Sequence, residues 1–123
     1  MLDAILLGQK GEALTVAHLR KQGFTILSTN YHTRRGEVDI IAKKDDVIAF
    51  VEVKTRKKNY FPLSQVITKP KQRRIALAAL DFALTHHLMN NVLRFDVALV
   101  QYSETTQELT YIPNAFQYAV CRS

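Results

Sequence analysis

The chain is poor in cysteine, in acidic residues and in long apolar runs, and each shortage closes off a class of protein. Cys121, its only cysteine, excludes an intrachain disulfide and a cysteine zinc site, and fits a reducing cytoplasm. No apolar run approaches the roughly 20 residues of a membrane-spanning helix. The start, Met1-Leu2-Asp3-Ala4-Ile5-Leu6-Leu7, carries an acid and no basic segment, unlike a signal peptide. His18, His32, His86 and His87 have no metal-motif spacing, and His86-His87 read as the frayed end of a helix. There is no glycine-rich phosphate loop, which argues against P-loop nucleotide hydrolysis. Repeats and low-complexity tracts are absent.

The acids are also unevenly placed. There are 11 Asp and Glu against 17 Lys and Arg, a net charge of +6, so an anionic partner is expected. After Glu52 no acid occurs until Asp81, while Lys54, Arg56, Lys57, Lys58, Lys69, Lys71, Arg73 and Arg74 fill the interval. Alone, such a run is a solvated surface. Because it abuts an acidic pair described below, it is read as a phosphate-binding stripe, with Arg34 and Arg35 as further members.

With 123 residues, 47% of them hydrophobic, the chain suits one compact domain over 1–123. Asp3 to Gln22 reads as a helix stopped by Gly23, after which Phe24 to Ser28 begins a strand. Glu37 to Ala42 is predicted as a strand, Lys43 to Asp46 as a four-residue turn and Val47 to Lys54 as the returning strand. Thr55 to Ser64 reads as a basic loop. Lys69-Pro70 opens a helix running to about Leu88, with Ile75, Ala78, Ala79 and Phe82 on its apolar face. Lys71, Arg73 and Arg74 oppose the dipole at its start, at roughly a few tenths of a kcal/mol each, a cost easier to understand if they meet phosphate. Val92 to Val100 is an apolar strand with Arg94 and Asp96 embedded; Leu109 to Ile112 is a last strand; Pro113-Asn114 caps a short terminal helix, Ala115 to Val120. The order gives an α/β sandwich with a mixed sheet.

A four-residue turn sets Ala42 opposite Val47 and Asp39 opposite Phe50. Glu37, Asp39, Phe50, Glu52 and Lys54 then share a face, and Asp39 and Glu52 are diagonal neighbours, with Cβ atoms roughly 7–8 Å apart or less. Two such carboxylates repel unless a cation offsets them. Oxygen ligands favour magnesium or manganese, which activates water and stabilises charge at a phosphoryl centre. Lys54 is open to three roles: orienting the attacking water, deprotonating it, or acting as a fixed cation. The structural alternative is an ion pair of Lys54 with Glu52 or Asp39 on a solvated sheet face. Val51 and Val53 weigh against it, as does the apolar character of both faces upstream.

Glu12 falls between Val16 and Leu19 at the edge of the helix's apolar face and points toward the sheet. It suits a third metal ligand or an acceptor for a coordinated water; a bond within its own helix is the other reading.

The segments Gly8-Gln9-Lys10-Gly11-Glu12-Ala13, Asn30-Tyr31, Gly36 to Ala42, Phe50 to Arg56, Lys71 to Ile75 and Arg94 to Val97 resemble the YraN family of bacterial proteins over nearly the whole chain. That family is similar to the PD-(D/E)XK nucleases, nearest to archaeal Holliday-junction resolvases. The resemblance implies a restriction-endonuclease-like fold and a metal-dependent endonuclease acting on DNA, branched or junction DNA included, as a homodimer. It implies Asp39 as the motif aspartate, Glu52 and Lys54 as the Glu-x-Lys element, and Glu12 as the resolvases' helix glutamate. Glu37 belongs to the Gly-Glu-x-Asp motif, and Gln65 answers to a position usually acidic or Gln. Tyr60-Phe61-Pro62-Leu63 departs from the family's Phe-Gly there. The same fold also serves non-cleaving nucleic-acid binders, so a binding module is the alternative.

Overall fold

The computed structural model describes residues 4–57 and 67–118. The elements are α1 (Ala4–Lys21), β1 (Thr25–His32), β2 (Glu37–Lys44), β3 (Val47–Lys57), α2 (Lys69–Thr85), β4 (Val92–Tyr102) and β5 (Gln107–Phe116). The strands lie side by side in chain order in one sheet. Neighbours are antiparallel except β3 and β4, which run parallel. A parallel pair needs a crossover, and α2 lies within it.

Each helix covers one face. Leu19 of α1 packs with Ile40, Ala42, Ala49, Val51 and Ala98. Ile75, Ala76, Ala78, Ala79 and Phe82 of α2 pack with Val38, Ile41, Ile48, Phe50 and Phe95 on the other face. Strands β3 and β4 are therefore apolar on both sides, as central strands are. This mixed sheet between two helices is consistent with the expected restriction-endonuclease-like fold. Among the described residues no helix is long and apolar enough to cross a membrane.

Helix α1 ends as the sequence predicts, with Gly23 at φ +93° and the Phe24 N–H donating to the Leu19 carbonyl at 3.0 Å. Helix α2 stops at Thr85, and His86 and His87 lie beyond its end. Thr55, Arg56 and Lys57, predicted as loop, extend β3, because β4 continues beside them to the pair Lys57 and Tyr102. Lys58, Tyr60 to Leu63 and Gln65 lie outside the described residues, as does Cys121.

The turn between β2 and β3 is tighter than predicted. Lys44 pairs with Val47, so Ala42 faces Ala49 and Ile41 faces Phe50, and only Asp45-Asp46 turn. Asp45 takes φ +53°, the left-handed conformation that two-residue hairpins need and that Asp tolerates. The predicted register was two residues out. An even shift leaves the side-chain faces unchanged near the turn.

The predicted terminal helix is also corrected, since Ala115 and Phe116 belong to β5. Buried Asp96 decides this. It receives two hydrogen bonds from Arg94, both at 2.9 Å, one from the Tyr111 hydroxyl at 2.5 Å, and one from the Asn114 N–H at 2.9 Å. The ladder shifts register between Phe95 and Val97, and Phe116 stacks on Phe95 with centroids 5.0 Å apart. Pro113 is tolerated because β5 is an edge strand. Asp96 and desolvation both raise the Tyr111 hydroxyl pKa, desolvation being the larger cause, so it stays a donor.

Asp96→Ala is expected to destabilise the chain by about 3–5 kcal/mol by leaving Arg94 and the Asn114 N–H without their partner. The measurement is urea unfolding, with a lower midpoint; a loss below about 1 kcal/mol would show that β5 is held by other means.

Candidate active site

The β2–β3 ladder ends at Ile40 and Val51. One step further along stand Asp39 and Glu52. The alternation of β2 also breaks here. Val38 and Ile41 both belong to the cluster under α2, whereas Ile40 and Ala42 belong to that under α1. A simple strand does not place residues three apart on one face, so the shared face predicted from Glu37 to Lys54 does not hold as a regular one. Where the ladder would continue, the Val53 N–H donates to Asp39 Oδ2 at 2.7 Å. A side chain thus takes a backbone donor that the partner strand has left.

Glu52 is only 6% exposed, and its carboxyl is within hydrogen-bonding reach of Asp39. Burial first, then the bond and charge of Asp39, push its pKa from 4.5 up to about 8, against the opposing pull of Lys71 and Lys54. Lys71 Nζ lies 3.2 Å and Lys54 Nζ 3.9 Å from the same oxygen, Glu52 Oε2. Lys54, half-buried, has its pKa lowered, mainly by desolvation and then by Lys71 beside it.

The two carboxyls meet, yet they open on different sides. Asp39 lines a cleft of about 560 Å³ with Glu12, Lys54, Arg56, Lys57 and Tyr102. Glu52 lines a smaller depression of about 280 Å³ with Glu37, Pro70, Lys71 and Arg74. The Asp39–Glu52 pair stands between them. Glu12 reaches the larger cleft because α1 approaches β3 closely at Gly11, where an added Cβ would sit 2.2 Å from Thr55 Oγ1. Glu12 does not join the pair: among the described residues no three acidic, histidine or cysteine side chains gather at one point.

The basic residues surround this centre. Gly36 brings the turn bearing exposed Arg34 and Arg35 against α2, where a Cβ would lie 1.8 Å from the Arg74 carbonyl oxygen. Only glycine permits that approach. Glu37 is consequently held outside the centre, between His32 Nδ1 at 3.2 Å and Arg74 at 3.7 Å. Lys69 and Arg73 are exposed on the first turns of α2, whose N-cap Thr68 makes no side-chain capping bond. Sequence reasoning missed two participants. Lys71 was read as a phosphate contact only, and its poor fit to the helix dipole was the available signal. Tyr102 carried no signal, since its place in the cleft follows from the length of the β3–β4 ladder.

Two adjoining carboxyls, which are hard oxygen donors, one of them buried at a cost that a cation would offset, suit magnesium or manganese. Asp39 and Glu52 would hold the ion, with Glu12 across the cleft. The linkage sign follows from the raised value of Glu52. Between pH 4.5 and about 8 the folded chain keeps a proton that the unfolded chain releases, so stability contributed by this group is present below 4.5 and is lost as the pH rises to 8. Relative to Glu52→Gln, the chain in chelator should lose melting temperature across that window, and millimolar Mn2+ should restore it more at pH 8 than at pH 5. Parallel profiles for the two proteins would contradict this placement of Glu52.

Residues 11–100 match a family model described as Uncharacterised protein family UPF0102. A UPF0102 protein of Geobacter metallireducens is 40% identical over 114 residues, covering 92% of this chain and 93% of the relative. Those of Anaeromyxobacter dehalogenans, over 111 residues (89% and 83%), and Clostridium perfringens, over 114 residues (90% and 93%), are likewise 40% identical. With the match running from the middle of α1 through the acidic pair and α2 into β4, the chain belongs to the UPF0102, or YraN, family.

Proposed function

We propose that the chain is a metal-dependent endonuclease that hydrolyses phosphodiester bonds of DNA, branched or junction DNA included, in the cytoplasm and as a homodimer. The observation that carries the reading is the contact between Asp39 and buried Glu52 with two lysine ammonium groups on Glu52 Oε2. A purely structural ion pair needs one acid and one base. Two acids pressed together at a strand divergence, beside a cleft wide enough for a nucleotide, are costly for folding and useful for catalysis.

A bound divalent ion would supply Lewis acidity at the phosphoryl group and a more acidic water. The remaining work falls to the chain. Asp39 is oriented by the Val53 N–H, which fixes one of its oxygens before substrate arrives. Lys54, poorly solvated and close to another ammonium, is poised either to take a proton at Nζ or to bind the charge that builds on phosphate. Arg56 and Lys57 line the same cleft and draw the backbone in, while Arg34, Arg35, Lys69, Arg73 and Arg74 extend the positive surface around the second depression.

The test is a panel of branched, flapped and single-stranded oligonucleotides with Mg2+ or Mn2+. Cleavage is expected, and Asp39→Asn or Glu52→Gln should reduce it by roughly a hundredfold or more while binding changes little. Lys54→Met should lower turnover with a smaller effect on affinity. Affinity should fall steeply with salt, as phosphate contacts require. Salt-sensitive binding that is indifferent to metal, with no cleavage of any substrate, would identify a non-catalytic nucleic-acid-binding module instead.

A further inference from the structure

Glu52 Oε2 has two ammonium neighbours, and the nearer one comes from the helix. Lys71 Nζ lies 3.2 Å away against 3.9 Å for Lys54, so the residue of the Glu-x-Lys element is the more distant partner. The Lys71 ammonium is near enough to Lys54 to help lower its pKa, after desolvation. Two like charges are thus gathered over two carboxyls.

Their freedom differs. The Lys54 side chain is 17% exposed and held on a central strand, whereas that of Lys71 is 34% exposed on the first turn of α2, beside exposed Lys69, Arg73 and Arg74. Lys71 has a route to solvent, and its ammonium is within reach of a phosphate held by the exposed cations of this face. A divalent ion on Asp39 and Glu52 would place positive charge within a few ångströms of Nζ, and like charges repel strongly in a poorly solvated site. That repulsion opposes the contact with Glu52.

Resting on the metal-centre reading above, we propose that Lys71 is an exchangeable counter-ion of the Asp39–Glu52 pair: its ammonium sits on Glu52 Oε2 and offsets the pair's negative charge while the centre is empty of metal, leaves when a divalent ion binds, and then engages the substrate phosphate. Lys71 is in this sense a positioning residue. It keeps the Asp39–Glu52 pair together without metal, and it couples metal loading to backbone binding.

The experiment uses Mn2+ alone and the full chain. Isothermal titration and electron paramagnetic resonance should show Lys71→Met binding Mn2+ on the order of tenfold tighter than the wild type, because a competing charge is gone. Lys71→Arg, which keeps the charge, should not show this gain. In the wild-type chain, amine acetylation followed by mass spectrometry should report several-fold faster modification of Lys71 when Mn2+ is added, with Lys69 unchanged as the internal control. That labelling decides the matter if Lys71→Met fails to fold. Mn2+ binding by the wild type with neither tighter binding in Lys71→Met nor faster labelling of Lys71 overturns the counter-ion role and leaves the metal centre standing. No Mn2+ binding by the wild type overturns both.

Discussion

One hydrogen bond sets the geometry on which the rest depends, that from the Val53 N–H to Asp39 Oδ2. Antiparallel strands normally satisfy such donors with carbonyls. Here β2 and β3 part after Ile40 and Val51, and a backbone donor buried unpaired at that point would cost about 1–3 kcal/mol. Asp39 removes the penalty and in doing so is drawn across the gap to Glu52. The strand divergence and the meeting of the carboxyls are therefore one structural event. It also lets Val38 and Ile41 fill the same core beneath α2, so hydrophobic packing supports the irregularity.

The second constraint is electrostatic. A carboxyl as buried as Glu52 needs compensation, and the chain supplies it from two elements, Lys54 on β3 and Lys71 on α2. This ties α2 to the sheet at its first turn, where the helix dipole by itself disfavours a lysine. Gly36 acts beside it by admitting the Arg34-Arg35 turn against the Arg74 backbone. Contrast the Arg94–Asp96–Tyr111–Asn114 network at the other edge of the sheet. There a buried acid accepts hydrogen bonds from fixed partners, the Arg94 guanidinium, the Tyr111 hydroxyl and the Asn114 N–H. Both clusters join acid and base on strands, and the Asp39–Glu52 pair adjoins space for a ligand.

Local patterning made most of the elements legible. Gly23 ends α1, Pro70 opens α2, and Val47 to Val53 is apolar enough to be central. The failures came where long-range contacts override local preference. Pro113-Asn114 looks like a helix start, yet Asp96 claims the Asn114 N–H and Phe95 stacks Phe116. Thr55 to Lys57 looks like loop, yet β4 offers a parallel partner through Tyr102. The hairpin register slipped because Lys43 and Lys44 resemble turn residues, and their own pairing with Ile48 and Val47 emerges only when the strands meet.

The sequence by itself determined the α/β class, the acid-then-base order of Asp39, Glu52 and Lys54, and the positive stripe beyond them, because periodicity, caps and charge are written residue by residue. Tertiary structure alone decided that Asp39 turns to the Val53 N–H, that Glu52 is buried against it, and that Lys71 comes from a distant helix to share its oxygen. Those outcomes depend on where two strands separate and how closely α2 seats on them, and such distances are set by packing between elements rather than by any one segment's own preference.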